Sequence, residues 1–449
     1  MKVALVRPNY QTYLITPPLG LGYISSYLKK EGHEVIIVDG LNRNLTNSEI
    51  VKLVRDCQIV GVNILTDYYL QAKDLARRLK AEGKIVVLGG VHPSVMPKES
   101  IEECNADFIV VGEGEETMDE LVKAIENKKS TKHIKGLYSR NNFSNFKPRE
   151  PIQNLDSLPF PDWKSIDPRK YQKAPHGAIV KNFPVGPITS TRGCPYECTF
   201  CASPKFWCRK LRYRSPENVV DEIEYLIKHF GVKEIHFEDD NLTLNRGHIE
   251  SICKLILKRN INIPWATPNG IRADKVDEPL LRLMKKAGCY FVVFGVESGN
   301  QEILNRIKKH ETLKDVERAV RLAKKIGFVT QGFFIFGLPG ETEETIKKTI
   351  EFAKSIPLDR AQFLLFDLLP GSELWFQHKD EVKRDYSKRC FRDSIWIPDT
   401  ITEEKLKYWQ SRAFREFFFR PRQIISFIRY FKISQFKHVF NRLRAFRII

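Results

Sequence analysis

Three cysteines, Cys194, Cys198 and Cys201, fall within the ten-residue stretch RGCPYECTFC at positions 192–201. Two thiolates are too few to hold a metal cluster alone, and four close a site, as in structural zinc and electron-transfer iron–sulfur centres. Three thiolates on a four-iron cubane leave one iron open, much as a catalytic zinc keeps one position for water. The spacing therefore predicts a cluster that binds a small molecule at its uncovered iron.

A zinc site built from the same three cysteines and Cys208 is the alternative. Cys208 lies in a basic, aromatic stretch and lacks the paired spacing of zinc ribbons. The remaining cysteines fit the pattern of small buried hydrophobic residues, and they are Cys57, Cys104, Cys253, Cys289 and Cys390.

Length and composition indicate a folded globular protein of two or three domains. The chain has 449 residues, of which 42% are hydrophobic and 29% charged. No run of about 18 apolar residues occurs, so we expect no transmembrane helix. The first residues enter a strand pattern directly, so we expect no secretory leader and a cytoplasmic location with reduced thiols.

The net charge of +18 is concentrated at the C-terminus, because residues 411–449 contain ten Lys or Arg residues and the single acidic residue Glu416. Ten aromatic residues accompany them. This pattern favours an amphipathic helix that lies on an anionic membrane or covers an apolar substrate channel. A helical cap on the preceding domain is the alternative. Nucleic acid is disfavoured, because Phe and Ile dominate and no RNA-binding module is recognisable.

Residues 1–130 alternate short apolar runs with helical patterns, which predicts a doubly wound parallel sheet of the Rossmann-like α/β class. Such sheets bind ligands at the carboxyl ends of their strands. Residues 131–185 lose this rhythm and predict a linker with a short hairpin at its start. Residues 186–375 contain six β/α units, which predict a partial (β/α)6 barrel with its chemistry at the strand ends. Residues 376–449 predict a basic, aromatic helical region.

The cysteine pattern C-x3-C-x2-C, with Phe200 before the last cysteine and a position after the first barrel strand, resembles the radical S-adenosylmethionine (SAM) superfamily. The resemblance implies that Cys194, Cys198 and Cys201 hold a [4Fe-4S] cluster, which cleaves SAM reductively to a 5′-deoxyadenosyl radical. Segments EDDNLT, NGIRAD, GVESGN and GLPGET follow later strands in the order of that family. By the same resemblance the SAM-binding residues are Phe200, Glu238, Asp239, Asn269, Arg272, Glu297, Ser298 and Gly337.

A doubly wound domain ahead of such a barrel resembles the cobalamin-binding domain of B12-dependent radical SAM enzymes. Glycines at strand ends allow a large ring to approach the backbone. The cobalamin-binding residues implied are Leu19, Gly20, Asn63, Thr66, Gly89, Gly90, Gly112, Glu113 and Gly114. The Asp-x-His-x-x-Gly motif of corrinoid carriers is missing, since GLNRN follows Asp39, and we interpret His92 as a polar contact and not a metal ligand.

The resemblance implies methylation of an unactivated carbon of a small or lipid-like substrate, with electrons from an external flavodoxin-type or ferredoxin-type donor. A radical cyclase, oxidoreductase or C–C coupling enzyme without methyl transfer is the first alternative. A tRNA methylthiotransferase is the second, although such enzymes bring three N-terminal cysteines and here only Cys57 and Cys104 precede the barrel. A zinc-bound scaffold is the non-enzymatic alternative.

Overall fold

The computed structural model describes residues 1–12, 14–140, 146–173, 180–382, 385–387, 393–421 and 423. None of the helices in these residues combines the length and the hydropathy that a membrane span requires. Two parallel sheets organise the chain, one in each half.

Six strands form the N-terminal sheet of the described chain: β1 (Lys2–Arg7), β2 (Glu34–Asp39), β3 (Ile59–Asn63), β4 (Ile85–Gly89), β5 (Phe108–Val110) and β6 (Leu137–Ser139). Their order is β2-β1-β3-β4-β5-β6, with β6 antiparallel to β5 and the others parallel. The chain order reverses at β1 and β3, which is where open α/β sheets form a ligand crevice.

Helices cover both faces of this sheet, because its strands are apolar on both sides. In the described chain they are α1 (Leu19–Lys30), α2 (Gly40–Arg43), α3 (Asn47–Leu53), α4 (Tyr69–Ala81), α5 (Val91–Val95), α6 (Pro97–Glu103) and α7 (Glu115–Glu126). A short 3-10 turn, Thr66–Tyr68, precedes α4.

The second sheet is entirely parallel, and its strands are β7 (Val185–Ile188), β10 (Glu234–Phe237), β11 (Trp265–Ile271), β12 (Cys289–Glu297), β13 (Val329–Phe336) and β14 (Arg360–Leu365). Its order is β14-β13-β12-β11-β10-β7, so each strand lies beside its predecessor as in a partial barrel. A separate antiparallel pair, β8 (Thr191–Arg192) and β9 (Arg212–Tyr213), brackets the cysteine loop.

Amphipathic helices pack outside the barrel strands. The helices described in this half are α9 (Pro216–Phe230), α10 (Arg246–Lys258), α11 (Glu278–Lys286), α12 (Gln301–Arg306), α13 (Leu313–Ile326), α14 (Glu343–Ser355), α15 (Glu373–His378) and α16 (Glu403–Phe418). The short helix α8 (Ser203–Phe206) directly follows the last cysteine of the loop and has no buried residue. Further 3-10 turns lie at Leu155–Ser157, Pro168–Lys170 and Ala273–Lys275.

The segment between the two sheets is packed against both of them. Asp162 accepts hydrogen bonds from Ser25 Oγ (2.8 Å) and Lys29 Nζ (2.5 Å) on α1. The next residue, Trp163, is buried and donates from its indole Nε1 to Glu222 Oε1 on α9 at 2.9 Å. The predicted linker thus contributes side chains to the contact between the two halves. At its start, β6 pairs with β5, and Gly136 N donates to Lys147 O where the chain returns.

The predicted α/β class is confirmed, with a doubly wound sheet, a six-stranded partial barrel and a helical C-terminal region. In the described part of the tail, Phe414 and Phe417 on α16 are buried against Phe363 of β14. The predicted membrane contact falls mainly on residues 424–449, which lie outside the described residues.

Candidate active site

A cavity of about 530 Å³ joins the carboxyl end of the N-terminal sheet to the cysteine loop of the barrel. Parallel strands of both sheets end at this cavity, so loops from both halves converge there. Its N-terminal wall includes Leu19, Gly20, Asn63, Leu65, Gly89, Gly90, Gly112, Glu113, Gly114 and Glu115. Its barrel wall includes Thr191, Arg192, Cys201, Ala202, Ser203, Phe206, Trp207, Glu238, Asp240 and Leu369.

Glycines leave the N-terminal wall open to a large ligand. A Cβ atom added to Gly20, Gly89 or Gly112 would meet no atom within 4 Å, so these positions face empty space. Gly112 also has φ of +82°, a conformation that L side chains rarely adopt. This glycine cradle fits a broad, flat ring such as a corrin.

Of the residues predicted to bind cobalamin, all but Thr66 line the cavity. The Thr66 hydroxyl lies 3.0 Å from His92 Nδ1, and His92 is fully buried with its ring 4.5 Å from that of Tyr69. No histidine occurs among the described residues that line the cavity.

The cysteine loop is fixed by backbone hydrogen bonds to two later segments. Thr199 N donates to Ile307 O at 3.1 Å, and Leu374 N donates to Thr199 O at 3.0 Å. Cys194, Cys198 and Cys201 are partly buried free thiols, and Cys201 lines the cavity. Burial raises the pKa of all three thiols, that of Cys201 to about 12.

Metal binding would displace the protons from these thiols, since the thiolate is the ligand. In the described chain, no group of three or more His, Cys, Asp or Glu side chains already stands in metal-binding geometry. The assignment therefore depends on the cysteine spacing and on the position of the loop at the cavity. Cys208, the fourth ligand of the zinc alternative, is exposed.

Arg272, one of the predicted SAM-binding residues, makes its hydrogen bonds to groups of the protein. Its Nε donates to Asp274 Oδ1, and its two terminal nitrogens donate to the carbonyl oxygens of Lys309 and His310, all at 2.8 Å. Its guanidinium also lies 3.8 Å from the ring centroid of Tyr196, inside the cysteine loop. In this structure Arg272 braces that loop.

Glu297, also a predicted SAM-binding residue, accepts a hydrogen bond from the buried Lys309 Nζ at 2.8 Å. The same ammonium lies 3.4 Å from Glu311 Oε2, and the Glu311 Oε1 atom accepts from Ala273 N at 2.6 Å. Lys309 is the functional candidate that sequence reasoning missed. No sequence signal separated it from its neighbour Lys308, which is partly exposed and pairs with Glu373.

The acidic residues of the EDDNLT segment have two different environments, the buried interior of the fold and the wall of the cavity. Asp239 is buried, and its Oδ1 accepts from Ser190 N, Ser190 Oγ and Thr191 Oγ1 at 2.7–3.0 Å. Glu238 and Asp240 line the cavity, and burial raises the pKa of Asp240 to about 6. Asp239 is among the predicted SAM-binding residues, whereas Asp240 is not. Asn269 is placed beside them, because its Nδ2 donates to Glu238 O at 2.8 Å.

The remaining predicted SAM residues lie outside the cavity wall. Phe200 packs in an apolar cluster with Met96 and Leu374. Ser298 is fully buried and its hydroxyl lies 3.3 Å from Thr349 Oγ1. Gly337 N donates to the buried Glu341 carboxyl, whose pKa burial raises to about 8. These groups support the strand ends, and their contact with SAM remains a prediction.

Comparison with known proteins matches both halves of the chain. The Radical SAM superfamily model matches residues 188–353, and the B12 binding domain model matches residues 11–122. The Uncharacterized methyltransferase PH0819 of Pyrococcus horikoshii is 34% identical over 95% of this chain and 94% of that protein. The Anaerobic magnesium-protoporphyrin IX monomethyl ester cyclase of Rubrivivax gelatinosus is 30% identical over 93% of this chain and 77% of that protein.

A solved structure shares the fold. The radical S-adenosylmethionine methyltransferase TsrM of Kitasatospora setae, with cobalamin and a [4Fe-4S] cluster bound, superposes with a TM-score of 0.70. It is 22% identical, and the match covers 85% of this chain and 78% of that one. The two chains therefore share their fold over most of their lengths.

Proposed function

We propose that this chain, which belongs to the cobalamin-dependent radical SAM family, transfers a methyl group to an unactivated carbon of a small or lipid-like substrate. One observation carries the proposal: the glycine cradle and Cys201 are walls of the same cavity. A corrin on the cradle and a cluster on the cysteine loop would both face one chamber. A substrate in that chamber would be reached from both sides.

When bound, the cluster supplies an electron and an open iron for SAM, and cobalamin supplies a carrier for the methyl group. Cys194, Cys198 and Cys201 would hold the cluster. Gly20, Gly89 and Gly112 would admit the corrin. The chain's own task is to orient these groups and to exclude water, as protein does in other cofactor enzymes.

The residues of the barrel wall favour an apolar substrate. Phe206, Trp207 and Leu369 provide its apolar surface, while Asp240 offers a carboxylate beside the cysteine loop. Aromatic side chains give large contact area, and a few polar groups fix orientation in such sites. We infer a substrate with a substantial apolar face.

Glu238 and Asp240 are the groups best placed to meet the SAM ammonium, because both line the cavity next to Cys201. A carboxylate accepts charge-assisted hydrogen bonds from an ammonium group. The predicted roles of Glu238, Asn269 and Glu297 in SAM binding stay part of the proposal.

A cyclase without methyl transfer is the second candidate, because the relative from Rubrivivax gelatinosus is named a cyclase and matches almost the whole chain. The cysteines argue against a methylthiotransferase with a second, N-terminal cluster, since the only cysteines ahead of the barrel, Cys57 and Cys104, are buried in the core of the N-terminal sheet.

An external one-electron donor would approach the exposed side of the cysteine loop. Lys205 and Arg209 are exposed there, and they would favour an acidic donor of the flavodoxin or ferredoxin type. The free thiols of the described cysteines agree with a cytoplasmic location. We also propose that the basic C-terminal tail contacts anionic membrane. Sedimentation of the protein with anionic vesicles at low salt tests this contact.

The decisive experiment is anaerobic purification with iron, sulfide and hydroxocobalamin, followed by incubation with SAM, a reductant and candidate substrates. We expect iron–sulfur and corrin absorbance, with both 5′-deoxyadenosine and S-adenosylhomocysteine among the products. Cys201→Ala should lose the cluster, and Cys208→Ala should keep it. Deoxyadenosine alone would favour the cyclase, and a chain that binds no iron would overturn both candidates.

A further inference from the structure

We propose that Arg192 is a positioning residue that couples cobalamin binding to cluster assembly. The inference rests on the proposed pair of cofactors and goes beyond it, because it assigns an energetic link between their two sites. The link is a buried ion-pair network that joins the corrin side of the cavity to the cysteine loop.

Two guanidinium groups of the barrel hold one carboxylate of the N-terminal domain. Glu113 Oε1 accepts from Arg192 Nη1 at 2.6 Å, and Glu113 Oε2 accepts from Arg212 Nη1 at 2.6 Å. Arg192 Nη2 also donates to Glu115 Oε1 at 2.8 Å. The side chains of these four residues are at most 12% exposed, so their charges are screened little by water.

On the N-terminal side of the network, the position of the Glu113 carboxylate is fixed by its neighbours. Glu113 lies between Gly112 and Gly114, and all three line the cavity where the corrin is expected. Glu113 Oε2 also accepts from Ile152 N at 2.7 Å. A ring that orders this loop would therefore order the carboxylate that holds both arginines.

The barrel side is equally constrained. Arg192 is two residues ahead of Cys194, and Arg192 and Arg212 face each other in the antiparallel pair β8–β9. Gly193 between them and the cysteine has φ of +101°, and a Cβ there would collide with the Lys210 carbonyl oxygen. The path from Glu113 to the first cluster ligand thus runs through paired, closely packed backbone.

Ordering each loop costs conformational entropy. When one cofactor has already ordered its own loop, the ion-pair network also orders the other loop. The second cofactor then binds more tightly, because less conformational entropy is lost when it binds. This coupling is reciprocal, so a cluster on the cysteine loop should tighten cobalamin binding by the factor with which cobalamin stabilises the cluster. Couplings of this kind are typically about 5- to 150-fold.

The test is a titration of hydroxocobalamin, monitored by its absorbance, against the full-length chain with and without its cluster. For the wild-type chain we expect at least fivefold tighter binding when the cluster is present. In Glu113→Gln, which neutralises the shared carboxylate, the two dissociation constants should become equal within twofold. Glu116→Gln is the matched control, because the neighbouring Glu116 pairs with Arg149 and not with the barrel, and it should keep the wild-type ratio.

Arg192→Lys provides a second variant if Glu113→Gln does not fold, since it keeps the charge and loses the two-pronged contact with Glu113 and Glu115. It should also reduce the ratio. Equal dissociation constants in the wild type, or an unchanged ratio in the foldable variant, would overturn the coupling while leaving the proposed function intact. A wild-type chain that binds no hydroxocobalamin in either state would instead refute the proposed function.

Discussion

The guanidinium of Arg272 lies over the ring of Tyr196, 3.8 Å from its centroid. Tyr196 stands between Cys194 and Cys198, and Arg272 follows β11, so this contact ties the end of a barrel strand to the cluster loop. The three donors of Arg272 that contact Asp274, Lys309 and His310 fix the guanidinium in one orientation. Arg272 therefore stabilises the cysteine loop through packing on Tyr196 as well as through its charge.

Replacing Arg272 by lysine should weaken cluster retention. Lysine keeps the charge, but it cannot stack flat on Tyr196 or donate in three directions at once. We expect the iron content after reconstitution and desalting to fall by at least half, measured by iron and sulfide assay. Arg282→Lys, on an exposed helix position paired with Glu278, should retain full iron content. Equal iron in both variants would show that Arg272 does not brace the loop.

Lys309→Gln should destabilise the fold far more than Lys308→Gln. Removing the buried ammonium leaves the carboxylates of Glu297 and Glu311 without their shared counter-ion, which costs about 3–5 kcal/mol for buried pairs. The salt bridge of Lys308 with Glu373 is partly exposed, so its loss should change the free energy of unfolding only slightly. Urea unfolding of both variants gives the comparison, and similar midpoints would contradict the buried role.

Gly112→Ala should reduce cobalamin affinity. Its φ of +82° strains any L side chain by about 1–2 kcal/mol, and its Cβ would project into the cavity. Gly83→Ala is the control, because Gly83 has φ of +71° and open space around it but does not line the cavity. Both variants should lose similar stability, and only Gly112→Ala should lose hydroxocobalamin binding, by tenfold or more. Unchanged affinity would place the corrin elsewhere.

Glu341 should make stability fall as pH rises between about 4.5 and 8. Burial raises its pKa from 4.5 to about 8, so the folded chain keeps a proton in this window that the unfolded chain loses. The resulting slope is at most about 1.4 kcal/mol per pH unit. Glu341→Gln should remove it, measured as the difference in urea-unfolding free energy at pH 5.5 and 7.5.

Glu344→Gln is the matched control for that measurement. Glu344 is exposed in the first turn of α14, three residues after Glu341, and pairs with Lys348, so its replacement should leave the wild-type slope in place. A slope in Glu341→Gln that equals the wild-type slope would mean that Glu341 is ionised in the folded chain at neutral pH.

The helices and strands could be predicted from the sequence because each is specified by a pattern of neighbouring residues. Apolar runs such as IVGVN and VALV have no alternation, and such runs become strands covered on both faces. The glycines at strand ends and the cysteine spacing are also local patterns. The cavity that joins them could be expected from the rule that ligands bind at the carboxyl ends of parallel strands.

The roles of single charged residues could not be predicted in the same way. Arg192 and Glu113 are 79 positions apart, and nothing periodic in the chain relates them. Lys309 and Lys308 are identical in type and adjacent, and only the turn after α12 decides which one is buried. Asp239 and Asp240 differ likewise, because backbone direction at the end of β10 sends one into the fold and the other toward the cavity.

The segment around Asp162 and Trp163 has a consequence for exchange between related enzymes. Asp162 is hydrogen-bonded to α1, and Trp163 is hydrogen-bonded to α9. Each half therefore loses part of its packing and hydrogen bonding when this segment is separated from it. A recombinant chimaera joined near residue 130 would combine side chains that had not been selected together. Crossovers that inherit residues 150–171 with both of their docking helices should give the better-folded hybrids.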